Sequence, residues 1–312
     1  MSELFILSCE EKLRGGGIYK FSLTLSGELK QLAYFPCDKP MYGAFDGQNL
    51  CVLLRAPFKN SENSGYFFID KNLKVPSGIK STLGKCACHL SADKGVFIAN
   101  YLSGSVSKNG SRLITHAGRG VNLARQDMPH PHFAGLSPDK NYILCCDLGL
   151  DTIFVYDRNL SLISATKAPA GYGVRHLVFG DGGSVFYAIN ELYPSISVFN
   201  FLNGRAKYLK TVPLPAENKN STAAAIRLAD GGKTVYASVR GENAIYTLGV
   251  NGEDLRVTDK FKSNGVSPRD FDVIGDYIVA ANEETGVSVI DRFTQKEVYK
   301  LPLSRPLNVI KI

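Results

Sequence analysis

A short apolar run that ends in a polar turn, followed by a second, alternating run, recurs along this chain. Phe5-Ile6-Leu7-Ser8 precedes Gly17-Ile18-Tyr19-Lys20-Phe21, and Cys51-Val52-Leu53-Leu54 precedes Gly65-Tyr66-Phe67-Phe68-Ile69. Further copies pair residues 96–100 with 104–107, 142–147 with 152–156, 185–191 with 196–199, 235–240 with 244–246, and 277–282 with 287–290. Anchored on Leu7, Leu53, Ala99, Cys146, Ile189, Ser238 and Ala281, the spacings are 46, 46, 47, 43, 49 and 43. A period of about 45 fits a four-stranded propeller blade or a helical solenoid unit, and the period-2 alternation selects strands. Seven such units use up 312 residues, which leaves nothing for a second domain.

Another strand with a turn precedes each pair, as in 132–139, 175–181 and 269–275. The last of these, 305–312, has no turn and no partners after it, whereas residues 3–21 open with strands that lack a preceding one. The expected fold is all-β: one seven-bladed β-propeller domain over 1–312, built of four-stranded antiparallel blades. Its C-terminal strand completes the N-terminal blade, which closes the ring and removes its exposed sheet edges. The alternative is a sandwich of short strands.

Composition narrows the class. With 44% hydrophobic and 21% charged residues, 15 Tyr and 17 Phe, the chain has material for a large core and is not of disordered type. Its excess of seven basic residues is scattered, which argues against a nucleic-acid partner but leaves room for a local cation cluster around a small anion. The start lacks a basic region and meets Glu10 and Glu11 after a short apolar stretch, so no signal peptide is expected. No window approaches 18 apolar residues, so no membrane association is expected either. Seven cysteines without framework spacing fit reduced thiols in a cytoplasm. Cys86-Ala87-Cys88-His89 resembles a metal corner, but no second ligand pair stands at zinc spacing, and neither metal nor cofactor is expected.

In a propeller blade the first residue of the innermost strand shares a face with the loop between the second and third strands. Counting back from each turn places Met41, Cys86, His132, Arg175, Ala224, Arg269 and Arg305 on that face, and the loops add Asn100, Asp147, Glu191, Arg240 and Glu283. Three arginines and a histidine gathered around one axis repel one another unless an anion or acidic neighbours compensate, so an anionic ligand is expected there. Other readings remain open for several of these. His176, beside Arg175, reads equally as a cap on a buried carbonyl, Asp147 as the holder of its own turn, Glu191 as a partner of Arg175, and Arg305 as part of the closing seam.

The segments 126–132 (Gln-Asp-Met-Pro-His-Pro-His), 173–176 (Gly-Val-Arg-His), Asn190-Glu191-Leu192, 238–241 (Ser-Val-Arg-Gly) and Pro268-Arg269-Asp270-Phe271, in this order at blade spacing, resemble the lactonase family of seven-bladed propellers. That family includes the propeller type of 6-phosphogluconolactonase and is related to carboxymuconate-cyclising enzymes. The resemblance is good over 86–292 and weak before. It implies lactone hydrolysis without metal, 6-phosphogluconolactone as substrate and a place in carbohydrate metabolism, with His132, Arg175, Glu191, Arg240 and Arg269 as the functional set. One stretch departs: similar sequences often carry an acidic residue where this chain reads Ala223-Ala224-Ala225-Ile226.

Lactone hydrolysis needs an activated water, a stabilised oxyanion and a protonated leaving oxygen. Glu191 is expected as base with His132 as acid, although the residues alone leave these roles exchangeable. Arg240 is expected at the reacting centre, and Arg175, His176, Arg269, Asn100, Asp147 and Arg305 around the anionic lactone. No Gly-x-Ser-x-Gly elbow points to a serine nucleophile. A non-catalytic propeller that binds an acidic ligand or protein on the same face is the alternative.

Overall fold

A computed structural model describes residues 2–55, 58 and 61–312 of the chain. Among the described residues the strands form seven four-stranded sheets. Blade I combines 306–311, 2–8, 17–23 and 29–36, blade II runs from Pro40 to Ser81, and blade III from Ala87 to Thr115. Blades IV to VII span 131–167, 174–213, 222–262 and 268–301, and in each the strands pair antiparallel in chain order from axis to rim.

The second strand of each blade is apolar at nearly every position because both of its faces are covered. In Val185–Asn190, the side chains of Val185, Tyr187 and Ile189 pack with Ala223, Val235 and Val239 of blade VI. The alternate residues Phe186 and Ala188 pack with Leu144, Ile153 and Val155 of blade IV. Each of the other neighbouring pairs of blades shares a cluster of the same kind. The outermost strands face solvent and turn polar, as in the exposed alternation of Leu162–Lys167.

Ring closure follows the expected pairing. Pro306–Lys311 lies antiparallel to Ser2–Ser8, with Leu4 opposite Lys311, Ile6 opposite Val309 and Leu7 opposite Asn308. Ser8 Oγ donates to the Ser304 carbonyl at 2.6 Å, and Asn308 Oδ1 accepts from the Gly43 amide of blade II. Val309 sits in the core between blades VII and I, and Ile310 in the core between I and II.

This seam sets the first prediction. Leu307, Val309 and Ile310 are buried, and at ~1.5–3 kcal/mol for each fully buried aliphatic side chain their loss amounts to about 5–9 kcal/mol. That is comparable with the whole stability of a typical domain. Removal of residues 305–312 is expected to abolish cooperative unfolding or cause aggregation, checked by thermal melts and size-exclusion chromatography. An unchanged melt would disprove closure by this strand.

Candidate functional site

The axial geometry starts from an irregularity repeated in the innermost strands. Near the start of each one the pairing slips, leaving one residue with no partner opposite. These residues are Met41, Cys88, His132, Arg175, Arg269 and Leu307. In blade VI the slip takes in Ala224 and Ala225 opposite Ser238. A bulge bends its strand and re-aims the extra side chain, here towards the axis of the ring. A second ring of seven lies two residues past the spacing anchors: Cys9, Arg55, Tyr101, Leu148, Glu191, Arg240 and Glu283.

Members of both rings meet in an axial cavity of about 180 Å³, lined by Met41, Arg55, Cys86, Cys88, Tyr101, Arg125, His132, Glu191, Arg240 and Arg269. Its volume is below the roughly 300–1,000 Å³ of sites for drug-sized ligands, which restricts it to a small molecule. Two larger clefts, of about 1070 and 680 Å³, lie away from the axis. The first is lined by exposed Lys80, Lys94 and Lys140 and the second mainly by apolar groups, so convergent buried charge, rather than size, singles out the axial cavity.

Glu191 is the centre of this charge. Its carboxylate is buried, with Oε1 2.6 Å from Arg125 Nη2 and 3.2 Å from Arg240 Nη2, and Oε2 2.8 Å from Arg175 Nε. Burial opposes its ionisation, but the guanidinium groups of Arg240 and Arg175 outweigh that and hold the carboxyl well below the usual carboxylate range. Arg175 is itself buried and donates from Nη1 to the Ala224 carbonyl; desolvation brings it down to about 10, so it stays charged at neutral pH. Arg240 Nη2 reaches the Ala223 carbonyl at 3.4 Å. The alanine stretch thus supplies carbonyl acceptors to two arginines.

His132 lies beside this group, buried, with Nδ1 unpartnered. Burial and the Arg175 charge push its pKa well below the ordinary value, so the ring is neutral. Beneath it the His176 ring is centred 5.2 Å away, with His89 a further 5.2 Å on. His176 and His89 are likewise kept neutral by desolvation and by arginine charge.

The structure brings His132, Glu191, Arg240 and Arg269 to the cavity wall, with Arg175 directly behind. His176 stands one layer deeper, in a narrow extension with Arg175 and Asp270, and does not touch the main cavity. Asn100 and Asp147 were expected on the ligand side, and the structure places both inside their blades. They end their strands one residue short of the cavity ring, and strand alternation turns them between sheets. Asn100 Nδ2 bonds Ser105 and Ser107, and a Cβ on Gly84 would fall 2.4 Å from its side chain. Asp147 accepts from the amides of His130 and Leu150 and lies 2.5 Å from His116 Nδ1, the turn-holding arrangement. Arg305 lies two residues before the bulge position of its blade, which Leu307 takes, and half-exposed it faces Glu10 and Glu283 at 3.8 and 3.6 Å. In blade III the bulge residue is Cys88 rather than Cys86, although Cys86 also lines the cavity.

Arg55, Tyr101 and Arg125 were missed. The repeat spacing itself carries two of them, since adding two residues to Leu53 and Ala99 gives Arg55 and Tyr101. Arg125 comes from an interblade loop that obeys no period. Among the described residues no three His, Cys, Asp or Glu side chains are gathered as a metal site. His89 of the Cys86–His89 corner turns away to accept from the Ala134 amide at 3.2 Å.

The neutral axial histidines make acid stability testable. Their folded-state pKa values lie below the ordinary value of 6.5, so the unfolded chain binds more protons at low pH. Stability is therefore full above about pH 6.5 and falls below it, for His89 down to about pH 3. Urea midpoints measured from pH 8 to 4 are expected to fall below pH 6.5, and His89→Gln to reduce the slope. An equal slope in that variant would remove His89 from the account.

The family model described as "Lactonase, 7-bladed beta-propeller" matches residues 4–297. The chain is 29% identical over 309 residues to a 6-phosphogluconolactonase of Bacillus subtilis, covering 89% of this chain and 88% of that one. A solved protein from Lactobacillus plantarum superposes with a TM-score of 0.88 at 25% identity over the full length of both chains. The periplasmic gluconolactonase PpgL of Pseudomonas aeruginosa shares the fold, with a TM-score of 0.84 at 23% identity, over 100% of this chain and 99% of that one. By the match over residues 4–297 and the seven closed blades, this chain belongs to the seven-bladed β-propeller lactonase family of enzymes.

Proposed function

We propose that the chain hydrolyses a sugar lactone carrying a negative charge, 6-phosphogluconolactone foremost, in the axial cavity and without a metal. The observation that carries this reading is the neutral His132 set on the cavity wall beside a carboxylate that three guanidinium groups hold. Four arginines against one glutamate line the cavity, a balance suited to an anionic small molecule.

In this reading water adds to the lactone carbonyl carbon, the carbonyl oxygen becomes an oxyanion, and the ring C–O bond then breaks. His132 takes the proton from the attacking water and returns it to the ring oxygen as it leaves. A carboxylate held as far below its usual range as Glu191 is a weak base, whereas His132 on the cavity wall is a neutral imidazole able to accept a proton. Both proton transfers thus fall to His132, whereas the residues alone gave the base to Glu191 and the acid to His132. Glu191 instead orients Arg175 and Arg240 and offsets the charge that His132 acquires. Arg240 and Arg269 face the oxyanion and the anionic substituent, where planar forks bind two oxygens at once.

We also place the enzyme in the cytoplasm, supported by buried thiols at Cys51, Cys145 and Cys146. No helix among the described residues is long and apolar enough to cross a membrane.

Hydrolysis rates over a panel of phosphorylated and plain sugar lactones, corrected for spontaneous opening, test the assignment. His132→Asn is expected to lower kcat by about 10²–10⁴ with little change in KM, the size of a lost proton-transfer group. Arg269→Ala is expected chiefly to raise KM for charged lactones. Dialysis against a strong chelator should leave turnover intact, and restoration by added zinc of activity lost that way would overturn the metal-free reading. If no lactone is turned over and phosphorylated sugar acids still bind, the chain is a binding propeller.

A further inference from the structure

The three guanidinium groups on Glu191 are not equivalent. Arg175 is buried and bonded to the Ala224 carbonyl, and Arg240 is largely buried and reaches the Ala223 carbonyl. Arg125 has a side chain 40% exposed and reaches Glu191 from outside the blades, on the loop 116–130.

That loop is firmly tied. Asp147 grips both its ends, lying 2.5 Å from His116 Nδ1 and accepting from the His130 amide at 2.8 Å. The middle is held by buried Gln126, which donates to the Leu148 carbonyl at 2.8 Å and accepts from the Asn122 amide at 3.1 Å. With the backbone pinned immediately next to Arg125, any response of this residue to a ligand falls to its own side chain. Arg55, exposed on the wall of the same cavity, makes no ion pair among the described residues.

We propose that Arg125 and Arg55 form a rim subsite for the anionic substituent of the ligand, and that Arg125 leaves Glu191 for that substituent when the ligand binds. The inference rests on the lactone site proposed above and names the residues that select a charged over an uncharged ligand. Moving Arg125 leaves Glu191 with Arg175 and Arg240, so the buried carboxylate is never stranded. A phosphate or carboxylate offers the departing guanidinium a bidentate partner in return. The substituent thus provides the differential interaction that a ligand-driven shift requires.

Arg125→Gln, Arg125→Lys and Arg55→Gln test this with two readouts. One is kcat/KM on 6-phosphogluconolactone and on gluconolactone. The other is calorimetric binding of the product acids, 6-phosphogluconate and gluconate, which reads the subsite even if no lactone is hydrolysed. The expected result is that both Gln variants lose at least tenfold more on the phosphorylated than on the plain compound in each readout, with Arg125→Lys recovering part of the difference. Equal losses on both compounds, or unchanged selectivity, would overturn the proposal and leave Arg125 as a fixed partner of Glu191. Failure of turnover on all lactones with the calorimetric preference intact would instead count against the lactonase reading alone.

Discussion

Each blade buries its two faces against two different neighbours, so the ring has no spare face and no blade is stable in isolation. Phe186 and Tyr187, adjacent in one strand, belong to cores on opposite sides of the same sheet. A continuous apolar run is therefore required of the second strand of every blade, and the polar residues buried within the blades, such as Asn100 with Ser105 and Ser107 or Asn190 with Ser195 and Ser197, are hydrogen-bonded to one another. The pairing of Pro306–Lys311 with Ser2–Ser8 completes the circuit. Without it, the clusters that hold Val309 and Ile310 would both open to water.

The closed ring in turn makes the site. Seven innermost strands converge on one axis, and the bulge near the start of each turns a side chain towards it. Met41, Cys88, Ala224 and Leu307 are the uncharged bulge residues, and His132, Arg175 and Arg269 share the same narrow axial space with Met41, Cys88 and Leu307. A cation at such a position is held in a place it would avoid if its side chain were free to move to water.

Burying a carboxylate among guanidinium groups rarely stabilises a fold, because desolvation consumes most of the Coulombic gain. Apolar replacements of similar volume would pack at least as well. The Glu191 group is therefore best understood through what it does to its surroundings. It favours the charged forms of Arg175 and Arg125 and orients three guanidinium groups at a small cavity, while burial and the Arg175 charge keep His132 neutral against the opposing pull of the carboxylate. The alanines at 223 and 224 serve the same end, since small side chains let both guanidinium groups approach the backbone carbonyls.

Much of this was determined by the chain alone. A period near 45, alternation within each unit and an orphan strand at 305–312 dictate blade number, strand type and closure, because burial on both faces imposes the same pattern on each unit. The order of His132, Arg175, Glu191, Arg240 and Arg269 along that period also places them at one end of the ring. What the sequence could not decide was side-chain direction to within one residue. Asn100 and Asp147 end their strands and point between sheets, while Tyr101, one step on, faces the cavity. At the closing strand the count was off by two, a shift that keeps the face, and Leu307 takes the bulge position that counting gave to Arg305. A single-residue slip reverses the face in a period-2 element, and only the pairing register, with its bulges, sets that slip. Arg125 lay beyond any periodic reading, because its place on Glu191 depends on a loop whose ends are fixed by Asp147 and His116, contacts that exist only once the blades have met.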